Sequence, residues 1–284
     1  MSARQDDAAI VRIARTRGVG LPNAREVWRS RDLLYFLIVR DLKVRYKQTA
    51  IGVAWVILQP LTTLIVFSVV LGRLADVPSE GLPYAVFAVV GLAPWQLFSR
   101  TLADASGSLL ADQRLITRVY FPRLIVPTSM VAAALADFGA AALLVAAVMA
   151  VYGVAPSANI VWLPCFLALM LMTVLGVGYW LSALYLEFRD VRYAVPFLTQ
   201  VWLFATPVVY PASLVPDRWQ LVYALNPLVG VVEGFRWSVL GSGAGPDASL
   251  AVSVAVAAAI FLSGVLFFDW RERTFVDAVG SGGR

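Results

Sequence analysis

The chain has no histidine and one cysteine. Without imidazole it has no proton shuttle or base titrating near neutrality. A tetrahedral zinc site, which draws on Cys and His clusters, cannot be assembled. The lone thiol, Cys165, lies in an apolar stretch and can form no intrachain disulfide. It reads as a small buried or lipid-facing side chain. Only two lysines occur, Lys43 and Lys47, and neither closes a G-x-x-x-x-G-K-[ST] loop. The chain therefore has no phosphate cradle of that kind for ATP. Charge is scarce as well: 14% of residues are charged and 60% are hydrophobic, far from a soluble domain.

The scarcity has a pattern. No charged side chain occurs between Gln48 and Gly72, Gly81 and Ser99, Leu124 and Ala136, Phe138 and Leu186, Tyr193 and Pro216, or Ala248 and Phe268. A bilayer crossing takes roughly 20 apolar residues at about 1.5 Å each. The fourth run is too long for one helix, and Gly153, Pro156 and Asn159 divide it. The expectation is an all-α integral membrane protein with six crossings, near 51–72, 84–103, 124–151, 160–184, 194–211 and 248–268. Residues 1–30 form a leader, 31–50 an interfacial helix, 51–268 the membrane domain and 269–284 a tail.

Basic residues set the orientation. With both termini cytoplasmic, 20 of the 23 Lys and Arg residues fall inside, leaving Arg73, Arg218 and Arg236 outside. The net charge of +5 then speaks for an anionic membrane surface, not for nucleic acid. Residues 1–50 lack the n-region, h-region and small-residue site of a cleavable signal, so none is expected. In 31–49, Tyr35, Ile38, Val39, Leu42 and Tyr46 share one helical stripe, with Arg40, Lys43 and Lys47 opposite. That pattern is an interfacial amphipathic helix with its basic face toward lipid phosphates, or a cytoplasmic helix packed on another chain.

Asp137 is the one carboxylate at mid-span. Such a group takes a hydrogen bond from a neighbouring helix, lines a substrate path or couples to protons. Residues 212–247 are too long for a turn and too interrupted for a crossing. Pro216 and Pro227 open two short helices, 217–225 and 228–240, dipping into the outer leaflet and ending at Gly241–Gly245. Glu233 and Arg236, three apart, can pair on one face.

Several motifs follow one another in order. Arg45-Tyr-Lys-Gln-Thr-Ala-Ile-Gly-Val-Ala-Trp-Val-Ile-Leu-Gln-Pro60 leads into the first crossing. Pro94-Trp-Gln-Leu-Phe-Ser99 lies in the second and Leu115-Ile-Thr-Arg-Val-Tyr-Phe-Pro-Arg123 follows it. Then come Tyr185-Leu-Glu-Phe-Arg-Asp-Val-Arg192, Thr206-Pro-Val-Val-Tyr-Pro211 and Leu225-Asn-Pro-Leu228. Over roughly residues 30–270 the chain resembles the permeases of ABC type 2 exporters, in particular those exporting O-antigen, teichoic acid or capsule polysaccharide. The resemblance implies a transport subunit rather than an enzyme, without catalytic residues, cofactor or metal of its own. It implies a homodimer with two ABC ATPase subunits that carry ATP and Mg, moving a lipid-linked polysaccharide across the bacterial inner membrane.

The resemblance also implies roles for segments. In 104–122, Asp104, Ser106 and Ser108 can cap a short helix whose small apolar face includes Leu109, Leu115 and Ile116 among Asp112, Arg114 and Arg118. It is expected to dock on the ATPase, with the loop of Glu187, Arg189 and Asp190 as a second contact. A plain loop helix on lipid is the other reading. The outer helices, with Trp219, Tyr223, Glu233 and Arg236, are expected to form a gate, or else an interfacial aromatic belt. Trp55, Trp95, Phe98, Tyr179, Trp202, Phe204 and Tyr210 fall in or beside crossings. Their ring faces suit the C–H faces of sugars, and many weak contacts suit a sliding glycan. Lipid anchoring is the alternative for each. Three other classes stay open: a drug or small-lipid exporter, a membrane-embedded transferase and an ion-driven transporter. The last is disfavoured by the lack of an internal repeat.

Overall fold

A computed structural model describes residues 28–47, 54–119, 121–243 and 245–281; side chains at 54–56 and 273–281 fall outside that description. The expected leader over 1–27 and the side chain of Trp55 therefore lie outside the described residues. Helix is the only regular structure among the described residues. Lipid offers no hydrogen-bond partner, so an apolar chain that crosses it must satisfy its backbone internally.

Helix α1 spans Arg31–Lys47. Helix α2, Ala54–Phe67, widens into a π-helical stretch at Ser68–Leu74. Helix α3 (Tyr84–Ala111) is followed by the short α4 (Gln113–Arg118), then α5 (Ile125–Val151). A 3-10 turn at Ala158–Trp162 starts α6, Leu163–Glu187. Helix α7 covers Val191–Phe204, α8 Asp217–Tyr223, α9 Pro227–Leu240 and α10 Ala248–Ser281. Five helices among the described residues are long and apolar enough to cross a membrane: those at Ile57–Leu74, Tyr84–Ala111, Ile125–Val151, Ala158–Glu187 and Ala248–Glu272.

Several boundaries differ from the sequence reading. Helix α3 runs two turns past the expected end at 103, because Leu109 finds a buried site near Leu37, Phe121 and Phe268. Asp104, Ser106 and Ser108 consequently lie inside α3 and cap nothing. The Ser106 and Ser108 hydroxyls instead donate to the carbonyls of Ala103 and Ala105. The expected crossing at 194–211 is helical only over Val191–Phe204, 14 residues, and breaks at Ala205. The short helices 217–225 and 228–240 are present with nearly those bounds.

Helix α3 is the centre of the bundle and is buried along most of its length, packed by α2, α5, α6, α7 and α9. Helices α6 and α10 make the closest crossing. A Cβ on Gly264 would lie 2.3 Å from the carbonyl oxygen of Gly176, and a Cβ on Gly176 would lie 2.7 Å from the Phe261 backbone. Small residues at such a crossing let backbones approach and gain dispersion contact where the hydrophobic effect is absent. Gly264→Ala must push the two helices apart and should cost about 1–3 kcal/mol. Gly139→Ala, with open space around the new methyl, should leave the unfolding midpoint in micelles unchanged or raised. Equal midpoints for the two variants would contradict this packing.

Candidate functional site

The break after α7 leaves backbone carbonyls without helical partners, and buried ones must be satisfied by other protein groups. Side chains do so, one carbonyl at a time. Tyr210 Oη donates to the Phe204 carbonyl at 2.8 Å, and Asn226 Nδ2 donates to that of Ala205 at 2.9 Å. Arg236 Nη2 donates to the Val208 carbonyl at 2.7 Å and Tyr84 Oη to that of Val209 at 2.8 Å. Arg236 Nη1 reaches the Tyr210 carbonyl at 3.4 Å.

Two of the donors, Asn226 and Arg236, are placed by α9. Asn226 caps this helix by accepting from the Leu228 amide, Pro227 stands in the first turn, and Gly241 ends it with φ of 72°. Asn226 Oδ1 also accepts from Trp202 Nε1 at 3.0 Å, so α7 and α9 are tied twice. Ten residues on, Arg236 is fully buried, pairs with Glu233 Oε1 at 2.8 Å and lies 3.7 Å from the Phe87 ring centroid. The pairing expected from their spacing is present. A Cβ at Gly91 would fall 2.5 Å from the Val208 oxygen and 2.7 Å from Arg236 Nη2, so only glycine leaves room there.

The opposite end of the bundle holds a second charged assembly. Arg45 of α1 pairs with Asp104 at 2.7 Å and with Asp137, to which Tyr46 also donates. Arg100 lies 3.6 Å from the same carboxylate. Asp137, 6% exposed, is thus a hydrogen-bond acceptor for the neighbouring helix, the first of its three readings. Burial, reinforced by the bond to Asp137, pushes the Tyr46 phenol up to about 12, so it stays a donor. Arg40 forks onto Asp112 at 2.8 and 2.6 Å and also bonds Asp41, which accepts from Ser129 at 3.1 Å. Of the three basic residues assigned to lipid phosphates, Arg40 is spent inside the protein, while Lys43 and Lys47 are exposed. Tyr35, expected on the apolar seam, is 70% exposed, and Leu37 and Asp41 are buried in its place. The helix packs on α5, and its inward face is set by ion pairs as much as by apolar side chains.

The expected docking residues separate into two groups. Leu109 is buried, Leu115 and Ile116 turn inward toward the cluster around Leu37 and Phe268, and Asp112 holds Arg40. Arg114, Thr117, Arg118 and Val119 are exposed, as are Glu187, Phe188, Arg189 and Asp190. Glu187 pairs with Arg271 of α10 at 2.9 Å.

The aromatic residues do not form one file. Trp95, Phe98 and Trp202 make a chain of ring contacts at 5.8 and 5.2 Å. Trp95 and Phe98 are buried within it. Tyr179 packs on Phe261 and Phe268 and bonds Thr128, far from that chain. Phe204 is exposed, with Phe197 and Val201 beside it on α7. Tyr210 shares a hydrogen bond of 2.8 Å with Tyr223, and Trp219 is exposed on α8. Asn226, Tyr84 and Gly91 were not singled out from sequence. An Asn-Pro pair signals a helix start, but nothing local shows that its amide also serves another helix.

Residues 32–240 match the model of the ABC-2 type transporter family. The chain is similar to the O-antigen export system permease protein RfbA of Myxococcus xanthus, 30% identical over 90% of this chain and 98% of that protein. It is similar to the O-antigen export system permease protein RfbA of Klebsiella pneumoniae, at 29% over 72% of this chain and 79% of the relative. The polysialic acid transport protein KpsM of Escherichia coli is 24% identical over 72% of the chain and 80% of its own length.

Removing one member of a buried pair leaves the other charge uncompensated. Arg236→Met should therefore lower stability by about 3–5 kcal/mol in detergent unfolding. The double variant Glu233→Gln/Arg236→Met should recover part of that loss, while Arg236→Lys, lacking the planar fork, should fall between. An Arg236→Met protein as stable as the parent would show that the broken backbone does not need this side chain.

Proposed function

The chain belongs to the ABC-2 type transporter family, and we propose that it is the membrane permease of an exporter for a lipid-linked, O-antigen-like polysaccharide. The observation that carries the reading is the similarity to an O-antigen export permease across 98% of that relative's length. Two copies of the chain enclose the path, and two separate ABC ATPase subunits supply the energy. The complex sits in the bacterial inner membrane with both termini cytoplasmic.

In this reading α7 is the sixth crossing. Its 14 residues rise only roughly 21 Å, short of a hydrocarbon core about 30 Å thick. The irregular segment 205–211 completes the distance, which is tolerated where protein satisfies the backbone. Helices α8 and α9 then re-enter from the outer side as a gate. The exposed aromatic face of α7, with Trp202 and Tyr210 next to it, supports a glycan-facing surface, and Trp55 remains the candidate for the entry end. Buried Trp95, Phe98 and Tyr179 support the protomer's core instead.

The ATPase contact moves to the exposed face of α4. Arg114→Glu/Arg118→Glu should leave the protein inserted and reduce ATPase co-purification and export by about tenfold, since reversed charges meet the same partner surface. Leu115→Asp should instead lower the stability of the isolated chain, because that side chain faces its own core. Co-purification lost with Leu115→Asp but intact with both charge reversals would return docking to the apolar face.

Sidedness is tested by single cysteines in a Cys165→Ala background. Ser213→Cys should react with an impermeant thiol reagent in intact cells, and Thr117→Cys only after the membrane is opened. The reverse pattern would overturn the orientation, and with it the gate.

A further inference from the structure

A cavity of about 600 Å³ opens beside α9 at the 212–247 end, within the range of about 300–1,000 Å³ typical of small-ligand sites. Its floor is backbone. Gly230, Gly234, Gly241, Gly243 and Gly245 all line it. At Gly234 a Cβ would strike the Phe166 ring at 2.0 Å. At Gly243, with φ of 85°, it would lie 2.8 Å from Glu233 Oε2 and 4.0 Å from Glu80 Oε2. Two carboxylates thus converge over a position kept free of side chain.

The walls divide by chemistry. Phe166 and Trp237 meet edge to face at 6.3 Å and give the cavity an aromatic side. The lining also includes Glu80, Glu233, Asp247 and the Gln220 amide. The Ser242 hydroxyl also lines the cavity, shielded from solvent and without a hydrogen-bond partner among the described residues. Among the described residues no Lys or Arg lines it, and Arg236 behind the wall is engaged with Glu233 and with backbone carbonyls.

We propose that this cavity binds sugar units of the exported glycan and admits neutral or amino sugars while rejecting uronic and sialic acids. Building on the polysaccharide-export reading, it assigns the glycan's charge class. Carboxylate oxygens accept hydrogen bonds from sugar hydroxyls, and the aromatic side takes the apolar C–H face of a ring. A sugar carboxylate entering the same space would face Glu80, Glu233 and Asp247 with no cation opposite, and like charges at close quarters are strongly unfavourable. A polysialic acid is ruled out as cargo by this lining, whereas an uncharged O-antigen-like chain fits it.

The test uses the full permease with its ATPase in nanodiscs and three probes: maltotriose, the glucosamine trimer and the galacturonic acid trimer. Saturation-transfer NMR should show binding of the first two, with the galacturonic acid trimer at least about tenfold weaker. Gln220→Ala should weaken the first two. Glu80→Gln/Asp247→Asn removes two charges, keeps the side-chain bond from position 247 to the Leu250 amide, and leaves the Glu233–Arg236 pair alone. It should bring the galacturonic acid trimer to within about threefold of maltotriose. If the double variant assembles poorly, Glu80→Gln alone should narrow the gap in the same direction. Equal binding of all three trimers by the parent, no trimer binding, or selectivity unmoved by both charge variants would each overturn the proposal. Surface polysaccharide in a strain deleted for this chain is scored separately. Glycan export that depends on the chain, together with absent or unselective binding, sinks the cavity assignment alone, while export independent of the chain sinks the transport reading itself.

Discussion

A backbone that leaves its helix amid apolar packing must find its hydrogen bonds within the protein, and here that constraint falls on residues 204–210. Their carbonyls accept from Tyr210, Asn226, Arg236 and Tyr84. Each unmet group would cost several kcal/mol in hydrocarbon. The donors therefore dictate the neighbourhood. Arg236 must reach Val208, so α9 must lie beside the break. The guanidinium must be neutralised, so Glu233 stands one turn away. The approach must be close, so Gly91 of α3 has no side chain. A local irregularity in one helix thus fixes the placement of two others, α3 and α9.

The same logic works differently at the basic end. Arg45, Asp104, Asp137, Arg100 and Tyr46 form a shared network across α1, α3 and α5, with side chains that keep part of their surface exposed. Arg40 links α1 to Asp112, the residue that separates α3 from α4. Exposed pairs of this sort are screened and worth little singly; held in a network over a buried carboxylate such as Asp137, they set which face of α1 turns inward. This is why the hydrophobic stripe of α1 misleads. Its pattern places Tyr35 inside, but ion pairs rotate the helix so that Asp41 and Arg45 face the bundle.

Legibility followed the range of the interaction. Crossings at 125–151 and 248–272 were readable because they depend only on uninterrupted apolar length. The ends of α9 were readable because Pro227 and Gly241 are local signals. Glu233 and Arg236 were readable as a pair because three residues on a helix are neighbours. What sequence could not give were partners far apart in the chain: Arg45 with Asp137, Tyr84 with Val209, Gly91 under Arg236. The end of α3 was misplaced for the same reason, since its last turns persist on account of Leu109 meeting residues from four other segments. Of the charged candidates, Asp112, Asp137, Glu187, Glu233 and Arg236 stand in ion pairs, while Arg114, Arg118, Arg189 and Asp190 are exposed. The aromatic ones were scattered between core and surface, because aromatic composition by itself carries no direction.

The two ends also differ in how firmly they hold. At the 212–247 end Arg236 is fully excluded from solvent, and its bonds run to Glu233 and to backbone oxygens that have no alternative partner. Arg236 and Glu233 both stand on α9, so the pair moves with that helix, and parting α7 from α9 would break the bonds from Arg236 to the backbone rather than the pair itself. At the basic end Arg45 and Asp104 retain exposed surface, Asp137 has both Arg45 and Arg100 within reach, and Arg45 is shared between Asp104 and Asp137. Partners can be exchanged one at a time with water replacing what is lost, which keeps each step small. A bundle built this way resists distortion where its backbone is broken and yields where its charges are shared. Movement imposed on α4 therefore meets its first compliant joint at Asp112 and Arg40, and is passed toward the 212–247 end along α3, which carries Gly91 against the buried guanidinium.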